Sequence, residues 1–196
     1  MQSNQESLAK IELREFSIIG AATHQFFVLY NEQGQVEYEL HGGAVDQNSG
    51  HYKPISFGFG DPLKVILHSA TSNTIFSRPG FYGLYKEAQE AKTLITAAED
   101  NIIQRWDAAL EAAKILDQRV ISYQLFGGND DDLHSGNSNS VARTFGDIMG
   151  FPCQKLSLRL APGLNKNLLP KSEYANLYHY DLSPSMLAIE LAGEAT

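Results

Sequence analysis

The chain has 196 residues, of which 43% are hydrophobic and 19% charged, with a net charge of −8. That length can bury a core without staples, and residues 1–196 read as one domain with a helical section at about 83–118. The missing basic stripe argues against nucleic-acid binding, no run reaches the length of a membrane span, and the lone Cys153 excludes an intrachain disulfide or thiolate metal cluster.

Met1 to Glu6 lacks the basic and apolar regions of a signal peptide. This fits a cytosolic protein, and equally an effector exported without a cleavable signal. Lys10 to Gly20 reads as a strand. His24 to Tyr30 is a second, dense in aromatic and β-branched residues. Asn31-Glu32-Gln33-Gly34 is a turn, and Gln35 to His41 returns with alternating Val36, Tyr38 and Leu40. Lys53 to Gly60 and Leu63 to His68 follow as strands, and 69–81 as a polar loop. From about Gly83 to Leu116 the periodicity is helical, with Ile95, Ala98, Ile102, Trp106, Ala109, Leu110, Ala113 and Leu116 in one stripe. Thr96-Ala97-Ala98-Glu99 has capping-box spacing, so the stretch reads as one helix or as two.

Val120 to Phe126 reads as a strand and Gly127 to Gly136 as a loop. Val141, Ala142, Phe145, Ile148 and Met149 then have helical spacing, closed by Gly150 and Pro152. Leu156 to Leu160 fits a strand, Ala161 to Asn165 a turn-rich loop, and Tyr174 to Leu182 a strand or an exposed arm. The order predicts an α+β fold with an antiparallel sheet packed against helices.

Gly136-Asn137-Ser138-Asn139-Ser140 stands at the mouth of the 141–149 helix. Helix mouths have unpaired N–H groups and a positive dipole end, which suits an N-cap and equally a nucleophile whose oxyanion needs donors. Ser138 is the candidate nucleophile. Asn137, Asn139 and Ser140 are the candidate oxyanion or helix-mouth residues. A serine needs a base, and His24 on a strand is the candidate.

His41 is the candidate third residue, and its face depends on the hairpin. A two-residue loop over Glu32-Gln33 sets His24 and His41 opposite each other. A three-residue loop with Gly34 left-handed moves the register by one and puts His41 on the other face. Gly34 favours the second register. So does the grouping of Phe26, Val28 and Tyr30 with Val36, Tyr38 and Leu40.

Asp130-Asp131-Asp132 with His134 lacks the alternate-ligand spacing of a calcium loop and reads as a solvated acidic loop. His51 and His68 have no evident partner. Cys153 reads as a small buried apolar residue. No metal and no cofactor are expected.

The order of His24-Gln-Phe-Phe-Val strand, long middle section, Tyr123-Gln124-Leu125-Phe126 and Asn137-Ser138-Asn139-Ser140-Val141 resembles the circularly permuted papain-like proteins, the group around permuted NlpC/P60 and lecithin:retinol acyltransferase-like enzymes. Ala161-Pro162-Gly163 and Asn167-Leu168-Leu169-Pro170 look like the Pro-rich tail that follows the helix there. The resemblance covers roughly 23–43 and 120–170. It implies a hydrolase or acyltransferase cutting an amide or ester, such as a peptidoglycan peptide, a protein or a lipid acyl group. Ser138 falls where the family has Cys. That departure fits a serine enzyme, an inactive papain-like module that binds a protein or envelope ligand, or a Cys-to-Ser replacement. Under the enzyme reading the partner is a small-molecule, peptide or glycopeptide substrate, and under the other a protein.

Overall fold

A computed structural model describes residues 8–18, 22–54, 59–129, 131–151 and 153–177. Strands β1 (Ala9–Ser17), β2 (Thr23–Tyr30), β3 (Val36–Ala44), β4 (Leu63–His68) and β5 (Ala91–Ala97) form an antiparallel sheet in the order β4-β3-β2-β1-β5. Helices α1 (Glu99–Gln118) and α2 (Ser138–Met149) pack on one face of it. The molecule is therefore α+β, an antiparallel sheet packed against helices. Its strands obey period two: odd residues of β2, such as Phe27 and Leu29, join Trp106, Phe145 and Ile148 in the main core. Even residues Phe26, Val28 and Tyr30 lie on the other face with Phe16, Leu84 and Tyr85.

Helical periodicity begins later than the sequence suggests. The stretch from Gly83 to Glu90 has no helix, and 91–97 is strand β5 against β1. Ile95 is thus a strand residue, and β-sheet pairing overrides its apparent place in the stripe. One helix follows, with Ala98 at its N-cap and no side-chain cap, so the capping box is not formed. The expected strand over 120–126 shrinks to β6 (Ser122–Tyr123), paired parallel with β7 (Ser135–Gly136). Within 156–160 only Leu160 pairs, as an isolated bridge to Ala22. Tyr174 ends the short helix α3 (Lys171–Tyr174), a 3-10 turn covers Ala175–Leu177, and the remainder of the proposed 174–182 element lies outside the described residues. So do residues 55–58 of the expected 53–60 strand; Tyr52 bridges to Val45 instead. None of the described helices is long and apolar enough to cross a membrane.

The hairpin corrects the expected face of His41. Near the turn the three-residue register holds: Gly34 has φ 73°, Asn31 N–H donates to Gln35 O at 3.0 Å, and Tyr30 pairs with Val36. Between Leu29 and Tyr30 the register then shifts, and Leu29 pairs with Tyr38 and Phe27 with Leu40. This bulge, one extra residue in β3 at Glu37, turns every later side chain of β3 over. Glu39 and His41 come to the face of Phe26 and Val28, while Tyr38 and Leu40 join the helix-side core.

Candidate active site

The sheet splits where the candidate residues lie. β2 and β3 pair only as far as Phe27 and Leu40, whereas the rest of β3, to Ala44, pairs with β4 alone. The freed edge of β2 is capped by other groups. Asn139 Oδ1 accepts from Gln25 N at 2.8 Å and Asn139 Nδ2 donates to Thr23 O at 2.9 Å. Thr23 N donates to Leu160 O at 2.9 Å. The Asn139 amide thus does the work of a strand residue, satisfying buried backbone groups that would otherwise be orphaned. Its consequence is positional: the residue after Ser138 grips the backbone on both sides of His24.

Gly42 lets the helix come this close. A Cβ there would lie 2.4 Å from Val141 Cγ2. Asn137 is the N-cap of α2, accepting from Asn139 N at 3.0 Å and Ser140 N at 3.1 Å, and forms a capping box with Ser140. Its Nδ2 donates to Leu125 O at 3.1 Å and to Pro162 O at 2.9 Å, tying two loops to the helix mouth. Buried Lys166 braces the same region, donating to Gly127 O at 3.2 Å and Ser135 Oγ at 3.3 Å.

These bonds change the expected role of the helix mouth. The side chains of Asn137, Asn139 and Ser140 are committed to structure, and the N–H groups of 139, 140 and 141 are all taken by Asn137. Ser138 is different. It is 2% exposed, and neither its N–H nor its Oγ has a hydrogen-bond partner among the described residues. Nor do Ser138 Oγ and His24 share a hydrogen bond.

His24 is 1% exposed on the face opposite the helices. Its Nε2 lies 3.0 Å from His41 Nδ1, and His41 Nε2 lies 3.1 Å from Glu39 Oε2. That carboxylate oxygen also accepts from Leu84 N at 2.8 Å and Tyr85 N at 3.0 Å. Phe26 stacks on His41 at 4.4 Å between centroids, and Phe81 meets it edge-on at 4.9 Å. The His41 ring is clamped.

Proton positions follow from these partners. Burial alone would raise the Glu39 carboxyl, but His41 and the two backbone N–H groups outweigh it and hold the pKa below the ordinary value. Glu39 is therefore an anion and accepts only. His41 must offer it Nε2–H. Burial lowers the His41 pKa, with Glu39 opposing and His68 assisting, so His41 is neutral and its Nδ1 is an acceptor. His24 must then donate from Nε2. Its Nδ1 carries a lone pair, is buried, and has no partner among the described residues. Burial, reinforced by His41, puts the His24 pKa well below the ordinary 6.5.

Glu39 is the site residue that sequence reasoning missed. Glu-x-His at alternate positions of one strand was a usable signal, because such residues share a face.

The remaining candidates sit apart from this chain of contacts. Asp132 Oδ1 accepts from His134 N at 2.8 Å, as in a self-closed loop. Asp130 lies outside the described residues, and among those described no group of three His, Cys, Asp or Glu has the geometry to hold a metal. Cys153 donates from Sγ to Ala142 O at 3.2 Å, and burial pushes its thiol up to about 12, so it is no nucleophile. No family model, curated protein or solved structure matches the chain.

Proposed function

We propose that the chain is a hydrolase or acyltransferase of the circularly permuted papain-like kind, with Ser138 as nucleophile and His24 as general base. One observation carries the reading. A Glu39–His41–His24 relay fixes the His24 tautomer and leaves a basic lone pair at Nδ1 with no partner among the described residues. Asn139 holds the helix of Ser138 against the backbone that flanks His24.

In the proposed reaction Ser138 Oγ attacks the carbonyl carbon of an amide or ester while His24 Nδ1 takes the hydroxyl proton. The imidazolium formed is stabilised through His41 by the Glu39 carboxylate, which stays ionised. Ser138 N–H is the helix-mouth donor left for the oxyanion. Collapse expels the leaving group with the proton from His24. Water, or an acceptor alcohol or amine, then releases the acyl group by the reverse proton route. Apo sites often hold nucleophile and base beyond hydrogen-bond reach, and the contact tightens on substrate binding. A neutral resting imidazole suits a serine, whose proton leaves only in the transition state. Exposed Phe126 and Leu160 follow and precede the loop carbonyls that Asn137 and Asn139 bind, and would meet an apolar acyl or peptide group.

Burial of both Ser138 and His24 favours a second reading, a non-catalytic papain-like module that binds a protein or envelope ligand. Fluorophosphonate labelling separates the two. The enzyme reading expects stoichiometric label on Ser138, lost in Ser138→Ala and strongly slowed in His24→Ala. Absence of label on a folded wild-type chain, with no hydrolysis of ester or amide substrates, supports the module.

A further inference from the structure

A cavity of about 420 Å³ lies on the β4 side of the histidine relay. Phe81 stands between the two, edge-on to His41 at 4.9 Å and to His68 at 5.6 Å. The end of β4 and the loop over 69–82 form its wall. That loop is pinned at several points. Leu67 N donates to Phe76 O at 3.3 Å, Ser77 N to Thr74 O at 3.0 Å and Tyr52 N to Pro79 O at 2.8 Å. Arg78 Nε donates to Val65 O at 3.2 Å, and its Nη2 donates to both carboxylate oxygens of Asp117. The cavity is therefore preformed, as binding sites for small ligands usually are.

The polar groups of its wall are reachable and uncommitted. Ser72 and Asn73 are exposed, and neither side chain has a hydrogen-bond partner among the described residues. Arg78 Nη1 has none there either, and it is open to solvent. Both ring nitrogens of His68 are in the same state. Tyr82 lines the cavity at 88% exposure, and neither its ring nor its hydroxyl has a partner among the described residues.

Charge narrows the occupant. Among the described residues no Asp or Glu lines the cavity, so nothing there calls for a cation. Asp117 answers the Arg78 guanidinium, and the net charge of −8 works against an anion. What remains is a set of hydroxyl and amide groups that both give and accept hydrogen bonds. An uncharged ligand rich in hydroxyls satisfies them. The free ring of Tyr82 asks for a flat apolar face beside those hydroxyls. A pyranose ring has both, with hydroxyls around its edge and C–H bonds on its faces. The volume suits one or two such rings rather than a folded partner. We propose that this cavity binds a neutral saccharide, with a pyranose face on Tyr82 and its hydroxyls among Ser72, Asn73 and Arg78 Nη1. The inference does not rest on the serine chemistry.

The probe is methyl β-D-glucopyranoside, whose substituents are all equatorial and leave both faces apolar. Saturation-transfer NMR on the full chain should show transfer to its ring C–H protons, saturable at millimolar concentration. Tyr82→Ala should abolish the transfer and Tyr82→Phe retain it, since the ring face rather than the hydroxyl does the binding. Asn73→Ala should weaken binding about fivefold through lost hydrogen bonds. Tyr82 and Asn73 are both exposed, so neither change disturbs the core. Sorbitol carries the hydroxyls without the ring and should give no saturable transfer. The proposal fails if the glucoside gives no saturable transfer, if Tyr82→Ala binds it like the wild type, or if sorbitol binds equally well. Displacement of the glucoside by lower concentrations of inorganic phosphate or adenosine would overturn it too, in favour of an anion or nucleoside site. None of these arms needs a reactive Ser138, so failure here and failure of the serine mechanism are separate results.

Discussion

Glu39 does two jobs, and they pull on different measurements. Its charge offsets the imidazolium proposed to form on His24, and its acceptor-only character sets which nitrogen of each histidine carries the proton. Glu39→Gln keeps the size of the side chain. It loses the charge, and its amide oxygen must still serve the N–H groups of Leu84 and Tyr85. That same oxygen also accepts from His41 Nε2–H, and the amide nitrogen takes the Oε1 place beside Gly83, so the tautomers hold and the charge behind the imidazolium is what is lost. Labelling of Ser138 should slow roughly tenfold or more, with wild-type affinity for a reversible ligand of the cleft. A merely structural Glu39 would instead lower thermal stability and leave the labelling rate of the folded fraction unchanged. Its role is positioning, since it touches no reacting atom.

At the scale of elements, α2 and β2 depend on each other through Asn139. Two backbone groups of β2 at the split, and one loop carbonyl, meet that one side chain. Pro162 O keeps a second donor in Asn137, whereas Gln25 N and Thr23 O have no replacement strand. Asn139→Ala should therefore cost about 2–4 kcal/mol, one to two unsatisfied buried groups, measured as a loss in urea midpoint at unchanged m. Ser140→Ala, which removes only half of a capping box, should cost about 1 kcal/mol or less. Equal losses would mean that Asn139 is an ordinary first-turn residue.

The same contrast explains how much could be read beforehand. Asn137-Ser138-Asn139-Ser140 before Val141 announced a capped helix, and His24 to Tyr30 announced a strand, because both signals are local. The bulge at Glu37 was invisible. It lies beside the turn, ahead of the split at Phe27 and Leu40, and no alternation of residues encodes it. His41 was assigned to the wrong face for that reason alone. Residues 91–97 misled likewise: Ile95 fits a helical stripe on paper, and only the open edge of β1 makes it a strand.

For the whole molecule, the two buried histidines couple acid to folding. Both have pKa values below the ordinary 6.5 in the folded state, chiefly through burial, and return to about that value when the chain unfolds. Below pH 6.5 the unfolded chain takes up protons that the folded chain refuses. The unfolded state then binds more protons, so stability rises with pH across this window and is lost on acidification. Each histidine contributes in that direction for as long as its folded form stays neutral, with a slope of at most about 1.4 kcal/mol per pH unit. The carboxylates act in a lower window. Glu12 and Glu39 have folded values below the ordinary 4.5, so their stabilisation is lost only as pH falls through that range. Urea midpoints should therefore drop between pH 6.5 and 5, before Glu12 or Glu39 protonates. His24→Gln removes one proton-refusing group, and its profile should be shallower by up to about 1.4 kcal/mol per unit, whatever its stability at pH 7. A wild-type midpoint flat from pH 7 to 5 would mean that His24 and His41 accept protons without unfolding. That result would mean that burial does not hold the two imidazoles below their ordinary pKa in the folded chain.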